Sequence, residues 1–205
     1  MRKPPEAGQR GVSLVVSLIM LVAVLILGTS AAQLALQSEK ASRNDRDRQI
    51  AFQAAEAALM DAELDIENSP ASSASRSKLF SKGSALGFPT EGEDVCHAAS
   101  AGKHHGLCRR TPDGTAPAWQ SVDFADDAAS SARSVPYGKF TGQSFPAGQG
   151  PLPGKLPRYI VELMPYHKQG EGVDQAGYFY RITAIGFGPR ETTQVLLQTF
   201  YRKEN

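Results

Sequence analysis

Two cysteines and three histidines fall within one short stretch of the chain. Cys96 and Cys108 enclose His97, His104 and His105. Thiolate sulfur and imidazole nitrogen are both zinc ligands, so zinc binding is one chemistry that this stretch could perform. The other is a disulfide between the two cysteines, which is expected if the segment is exported to an oxidising compartment. Neither the CxxC spacing nor the i, i+4 histidine pair of known zinc motifs is present, so we favour the disulfide and predict no metal site.

Two groups of acidic residues could supply the several oxygen ligands that Ca²⁺ requires. The groups are Glu91, Glu93 and Asp94, and Asp123, Asp126 and Asp127. Their spacing differs from that of a calcium-binding loop, which favours ordinary surface acids. The sequence also has no nucleophile elbow, P-loop, zinc-protease motif or dinucleotide fingerprint. We therefore predict that the protein is not an enzyme and has no cofactor.

The charge of the chain gives no sign of a nucleic-acid surface. The 205 residues carry a formal net charge of +1. The locally basic stretch from Arg43 to Arg48 is interleaved with Asp45 and Asp47, which is typical of a solvated helix face. A nucleic-acid-binding protein would show a clustered basic patch instead. We therefore predict no nucleic-acid partner.

A long uncharged stretch near the N-terminus determines on which side of a membrane the rest of the chain lies. No charged residue occurs between Arg10 and Glu39, and a helix needs ~20 mostly apolar residues to cross a bilayer. Arg2 and Lys3 also precede the stretch, against the single acid Glu6. This positive-inside bias predicts a single-pass inner-membrane protein with a cytoplasmic N-terminus and with the remaining chain outside that membrane.

The alternative to a membrane-spanning helix is a secretory signal peptide, whose apolar region is only ~7 to 15 residues long. Here the apolar run is longer, and a helical pattern continues from Lys40 to Asn68 with no glycine or proline until Pro70. The two parts predict one helix from about Val12 to about Asn68, roughly 85 Å long at a rise of about 1.5 Å per residue.

The second half of the predicted helix carries alanines at helical spacing. Alanines allow a close approach to a sheet but bury little area, so Phe52, Leu59 and Ile66 are expected to supply most of the contact free energy. Each fully buried large apolar side chain contributes ~1.5 to 3 kcal/mol. The acids Glu56 and Glu63 are expected to be ordinary surface residues.

The rest of the chain divides into an irregular part and a strand-forming part. Residues 78–156 are rich in glycine, proline and serine, and they read as an irregular insert. Three later segments alternate with period two and predict strands: Arg158 to Met164, Gly177 to Gly186, and Thr192 to Arg202. Phe187 to Arg190 predicts a hairpin between the last two. The predicted fold is α+β, with a long N-terminal α-helix packed on a C-terminal antiparallel β-meander of three or four strands.

Motifs at both ends of the chain resemble one family. Gly11, followed by an apolar run and preceded by a short basic leader, looks like the cleavage site of type IV prepilins. The block RDRQIAFQAAEAAL, from Arg46 to Leu59 and ahead of Asp61-Ala62-Glu63, closely resembles the N-terminal signature of PilX-type minor pilins. The blocks YRITAIGFG and VLLQTFYRK also look like the C-terminal end of these proteins. The pilin architecture is a helix packed on an antiparallel meander, as predicted above.

The resemblance implies a processing step and a division of the chain. A membrane peptidase would cut after Gly11 and methylate the new N-terminus at Val12. The divisions are a prepilin leader at 1–11, a membrane and fibre-core half of the helix at 12–38, an amphipathic half at 39–68, and a periplasmic globular domain at 69–205 that contains the insert at 78–156 and the strands at 158–203.

One position departs from the pattern of major pilins. Major pilins carry a glutamate at the fifth position of the mature protein. Its carboxylate is thought to pair with the N-terminal ammonium of a neighbouring subunit. Here that position is Val16, so the chain has no carboxylate to offer. The N-terminal ammonium of a neighbouring subunit would then be buried without a counter-charge, which is costly. By resemblance this is the state of tip-most subunits, and it implies a place at the pilus tip.

The resemblance therefore predicts a minor pilin that helps to prime type IV pilus assembly, with roles in adhesion and twitching motility. Its partners would be other minor pilins, the major pilin, the prepilin peptidase and a tip-associated adhesin. Its location would be the inner membrane and then the pilus at the cell surface. The alternatives are a K-type pseudopilin of type II secretion, a membrane-anchored ligand-binding module and a secreted zinc enzyme.

Overall fold

The computed structural model describes residues 12–68, 72–166 and 177–203. A helix, α1, spans Val12–Glu67, and five strands follow: β1 Leu107–Arg109, β2 Val135–Pro136, β3 Arg158–Tyr166, β4 Gly177–Phe187 and β5 Gln194–Tyr201. Three short 3₁₀ helices lie at Ser77–Leu79, Ala99–His104 and Ala118–Ser121. The chain divides into two compact units, Met1–Asp45 and Arg46–Asn205.

The predicted helix is confirmed, with its end one residue earlier than expected. It ends at Glu67, and the next residue, Asn68, has φ 60°. Asparagine tolerates this left-handed conformation better than most residues, and a left-handed residue commonly follows the last helical turn. Pro70, the predicted stop signal, lies outside the described residues.

The sheet of the second unit is built around the predicted meander. β3, β4 and β5 pair antiparallel in chain order, with Glu162 opposite Arg181 and Arg181 opposite Phe200. The three predicted strands are confirmed, with ends that shift by two residues or fewer. The α+β pilin-like fold, a long N-terminal helix with a mostly antiparallel C-terminal sheet, is therefore confirmed.

The insert contributes two strands that the sequence does not predict. β1 pairs in parallel with β3, placing Leu107 opposite Val161, and β2 pairs antiparallel with the beginning of β3. Both strands are too short to show an alternating pattern, at three and two residues. The sheet is consequently mixed, although its three long strands form an antiparallel meander.

Two apolar clusters bury β3 from opposite faces. On one face Tyr159 and Val161 belong to a cluster that includes Ala58, Ala62 and Ile66 of the helix. On the other face Ile160 belongs to a cluster with Ile185, Phe187, Trp119 and both cysteines. Successive side chains of a strand point to opposite faces. The helix thus covers one face of the sheet, and the insert covers part of the other.

The contact between the helix and the sheet differs in one respect from the expectation. Ile66 is fully buried and Leu59 packs against the core, but Phe52 is 43% exposed. The alanines at positions 51, 54, 55 and 58 form the buried face instead. The expectation that Phe52 supplies contact free energy to the domain is therefore wrong, because its position lies off the alanine stripe.

Candidate functional site

The apolar half of α1 is the first candidate for function. Among the described residues, α1 is the one helix long and apolar enough to cross a bilayer. Its side chains from Val12 through Asp45 are all exposed, so the first unit buries none of its apolar surface within itself. The helix thus fits a single-pass membrane anchor. Val12 is its first described residue, Val16 is one turn further on, and Gly11 lies outside the described residues.

Three hydroxyl groups of this apolar half form hydrogen bonds to their own helix. Ser17 donates a hydrogen bond to the carbonyl oxygen of Leu14 at 2.9 Å. Thr29 and Ser30 both donate to the carbonyl oxygen of Ile26, at 3.0 and 2.8 Å. An apolar environment offers no partner for an unsatisfied polar group. These hydroxyl groups therefore need no partner outside the helix.

The second candidate is the face of α1 that meets the sheet within the second unit. A Cβ atom at Gly186 of β4 would overlap the backbone of Ala51 and Ala55. The absence of a side chain at Gly186, together with the alanines of the helix, therefore lets the two backbones approach closely. Gly186 is the last residue of a predicted strand, and a glycine in a strand often marks a close approach of another backbone, but the sequence pattern does not identify that backbone.

A buried ion pair joins Asp65, near the end of the helix, to Arg76, which lies just before the insert. The side chains of Asp65 and Arg76 are both fully buried, and Nη2 of Arg76 lies 2.7 Å from Oδ2 of Asp65. The same oxygen accepts hydrogen bonds from Nε of Arg76 and from the hydroxyl of Tyr159, both at 2.9 Å. Arg76 also donates to the carbonyl oxygens of Lys103 and His105, and its guanidinium lies 3.9 Å from the ring centre of Phe140. Asp65 and Arg76 together therefore connect the helix, the insert and the sheet.

A second buried acid on the helix is satisfied by the insert. Asp61 accepts a hydrogen bond from the backbone N–H of Gly138 at 2.8 Å and another from the hydroxyl of Thr141. Burial raises the pKa of Asp61, and these two hydrogen bonds partly oppose the rise. Gly138 has φ 76°, and a Cβ there would overlap the carbonyl oxygen of Gln143. Glycine is therefore required at the point where the insert turns to meet Asp61.

His105 completes this network. Nζ of Lys139 lies 2.6 Å from Nδ1 of His105. Because an ammonium group can only donate, Nδ1 must be the unprotonated acceptor. Burial, followed by the charges of Lys139 and Arg76, lowers the pKa of His105 to about 3. His105 is therefore a neutral, buried imidazole that serves packing and hydrogen bonding, and none of these buried groups offers a reactive atom to solvent.

The predicted disulfide is present. Sγ of Cys96 and Sγ of Cys108 are bonded, and both residues are buried. The sulfur atoms are therefore not thiolate ligands. His97 and His104 have ring centres 5.6 Å apart, while His105 is engaged by Lys139. Within the described ranges no three histidines, cysteines or acids form a group that could hold a metal ion, so the geometry gives no support to the zinc alternative.

Five of the predicted surface acids, Glu93, Asp94, Asp123, Asp126 and Asp127, have hydrogen-bond or ion-pair partners. Glu93 accepts hydrogen bonds from the N–H and hydroxyl of Thr90, and Asp94 pairs with Arg133 at 2.7 Å. Asp123 and Asp126 cap backbone N–H groups two residues later. Asp127 lies 3.7 Å from Lys155. The contacts of Glu93, Asp123 and Asp126 are typical of turns. On the helix, Glu56 is exposed and Glu63 is half-buried.

The residues that the sequence analysis missed are the buried polar ones. Asp61 and Asp65 stand one helical turn apart, on the same side of α1 as the alanine stripe. That spacing was a usable signal, since an acid on a buried face needs a partner. Arg76 and Tyr159 have no such signal, because they lie 11 and 94 residues from Asp65 in the sequence.

Two protein-family models match the chain. One, described as PilX N-terminal, matches residues 10–59, and the other, described as type IV pilus assembly protein PilX C-term, matches residues 104–203. Together they cover about three quarters of the chain. No curated protein and no solved structure matches it. With both its apolar helix and its sheet matched, the chain belongs to the PilX family of type IV pilus assembly proteins.

Proposed function

We propose that this protein is a minor pilin that takes part in priming type IV pilus assembly and is incorporated at or near the pilus tip. The observation that carries the proposal is Val16, at the fifth position after the proposed cleavage site, in a helix whose apolar half has no acid. A subunit above Val16 would find no carboxylate for its N-terminal ammonium. Because an unpaired buried charge is costly, addition above this chain is disfavoured.

The proposed path begins in the inner membrane with the N-terminus in the cytoplasm. Prepilin peptidase removes the leader 1–11 by cutting after Gly11, and Val12 is then methylated. Residues 12–38 leave the bilayer for the core of the fibre, while 39–68 carry the globular domain 69–205 outside the membrane. The self-satisfied hydroxyl groups of the helix support this path, since they suit any apolar surrounding.

The proposed partners are the other minor pilins, the major pilin and a tip-associated adhesin. Through them the protein would act in adhesion and twitching motility. PilX proteins are pilus assembly components and not a known enzyme family. We propose no catalytic role and no cofactor, and the buried state of Asp65, Arg76 and His105 supports a structural role for the polar network.

Processing at Gly11 is the step to test first. We expect Gly11→Ala to leave a precursor that keeps its leader and is missing from sheared pili, because a side chain at the cut site hinders the peptidase. The measurement is intact mass and N-terminal sequence of protein recovered from cell envelopes and from sheared fibres. The wild-type protein should begin at a methylated Val12.

Gly28→Ala is the matched control, since a Cβ at Gly28 meets no atom within 4 Å. This variant should be cut and assembled normally. Normal processing of Gly11→Ala, or a mature wild-type protein that begins at another residue, would reject the cleavage assignment. Absence of the wild-type protein from both pili and their assembly complexes would reject the minor-pilin proposal itself.

A further inference from the structure

The two edges of the sheet differ. At one edge β1 is covered, because the insert returns beside it. The N–H of His97 donates to the carbonyl oxygen of Leu107 at 3.0 Å, and the N–H of Arg109 donates to that of Val95 at 2.9 Å. At the other edge β5 pairs with β4 through eight successive residues, Gln194–Tyr201. In the described part of the chain, no strand lies on the outer side of β5.

An uncovered strand presents a row of unpaired N–H and C=O groups. Proteins usually protect such an edge with charged residues, proline, bulges or very short strands. β5 has none of these protections. Its residues, QVLLQTFY, include no charge and no proline, and its register with β4 runs without a bulge. From Gln194 to Phe200 the edge is therefore regular and, among the described residues, open to pairing by another strand.

The charged residues that flank β5 do not cover its edge. Arg190 pairs with Asp47 of the helix at 2.9 Å. At the other end Lys203 donates to the carbonyl oxygens of Ile66 and Ser77. These cations are held by the helix and by Ser77 just after it, so they add no charge to the outer face of β5.

The side chains on the outer face of β5 add apolar contact area next to this edge. Leu196 is 37% exposed and Phe200 is 64% exposed. The ring of Phe200 contacts that of Phe179 on β4, with ring centres 5.8 Å apart. An extended peptide segment fits this edge as an added strand. Its backbone would form hydrogen bonds with β5, and its side chains would pack on the apolar ones.

We propose that the open edge of β5 binds an extended, uncharged segment of a different pilus subunit by strand addition. This inference rests on the proposed function for the identity of the partner. Pairing of β5 with β5 of a second copy would form a two-fold interface that closes on itself. A fibre requires contacts that continue from one subunit to the next, and a different subunit supplies such a contact.

The test uses the full chain in piliated cells. A photo-crosslinking amino acid is placed at Gln194, Leu196 or Phe200, which all point to the same exposed face. We expect each position to capture another pilus subunit. Mass spectrometry should locate the captured residues at every second position of one continuous segment, because paired strands advance together with period two.

A Leu→Lys substitution tests the edge itself. With the crosslinker at Phe200, Leu196→Lys should lower the yield by about tenfold or more, because a lysine on an edge strand opposes further pairing. Leu86→Lys is the matched control: Leu86 is 68% exposed and lies in the insert, outside β5. It should leave the yield unchanged, and both variants should keep the wild-type melting temperature.

Four results would overturn strand addition. The first three are capture of a second copy of this chain, captured residues spaced three or four apart as on a helix, and an equal loss of yield in both lysine variants. A protein that is present in sheared pili but is never crosslinked from β5 also overturns this inference while leaving the proposed function intact. A protein that never reaches pili or their assembly complexes overturns the proposed function.

Discussion

At the scale of single residues, Asp65 links distant parts of the second unit. Its Oδ2 atom accepts hydrogen bonds from Arg76 and Tyr159. A buried ion pair adds little net stability relative to apolar residues, yet removing one partner is costly because it leaves a buried charge unpaired. Asp65 therefore contributes mainly by holding the helix to Arg76 and to Tyr159 of the sheet, and not by adding net stability.

Asp65→Asn should destabilise the second unit by about 3 to 5 kcal/mol, because Arg76 stays buried without its counter-charge. The measurement is chemical denaturation of the full chain in detergent micelles, followed by the fluorescence of Trp119. Glu56→Gln is the control on the same helix, and a change at this exposed position should stay within about 0.5 kcal/mol. Equal stability of the two variants would contradict the role given to Asp65.

His105 should make the second unit less stable as the pH falls. Its pKa of about 3 in the folded protein lies below the value of about 6.5 expected for an unfolded chain. Between these values the unfolded state binds the extra proton, so stability falls as pH decreases through this window, by at most about 1.4 kcal/mol per pH unit from this one group.

The measurement is the free energy of unfolding between pH 7 and pH 5 for the wild type and for His105→Gln. The variant should lose less stability over this range. Burial raises the pKa of Asp61 and of Glu162, and their effect has the opposite sign, while burial lowers the pKa of His97 and gives the same sign. The difference between the two proteins isolates His105. Parallel curves would show that its protonation is not linked to unfolding.

At the scale of elements, the sequence predicted what depends on local pattern. α1 and the three long strands have clear periodicities, and both ends of the chain carry family motifs. β1 and β2 were missed because they are short and pair with β3 from elsewhere in the sequence. The exposure of Phe52 was missed for a related reason, since helical spacing identifies faces but not which side chains of a face reach the sheet.

Gly186 offers a test of the helix–sheet contact. Gly186→Ala should destabilise the second unit by about 1 to 3 kcal/mol, because a Cβ there forces the backbones of α1 and β4 apart. Gly83→Ala is the control, since a Cβ at Gly83 meets no atom within 4 Å. Thermal unfolding of the two variants in the same detergent is the measurement. A melting temperature of Gly186→Ala equal to that of the control would refute the close approach.

At the scale of the whole molecule, the prediction concerns the place of the chain in the fibre. If the missing carboxylate at Val16 restricts the protein to the tip, Val16→Glu should restore a partner for the N-terminal ammonium of the next subunit. The variant should then be incorporated below the tip as well. We expect more copies per pilus, measured by quantitative immunoblotting of sheared fibres against the major pilin.

Val15→Glu is the control, because it places the same charge in the same helix one position away from the proposed pairing site. It should give no increase in copies per pilus. An equal increase for both variants, or none for Val16→Glu with normal processing, would contradict the link between Val16 and the tip. The prediction for Val16 follows from the sequence alone. The contacts of Asp65, Arg76 and Gly186 could be identified only in the structure.

The inward-turned hydroxyl groups of Ser17, Thr29 and Ser30 have an energetic consequence. Moving the apolar half of α1 from one apolar environment to another breaks no hydrogen bond of these three groups. They therefore add no hydrogen-bonding cost when the helix leaves the bilayer or returns to it. The preference of the helix for lipid or for other subunits is then set by the remaining side chains and by its N-terminal charge.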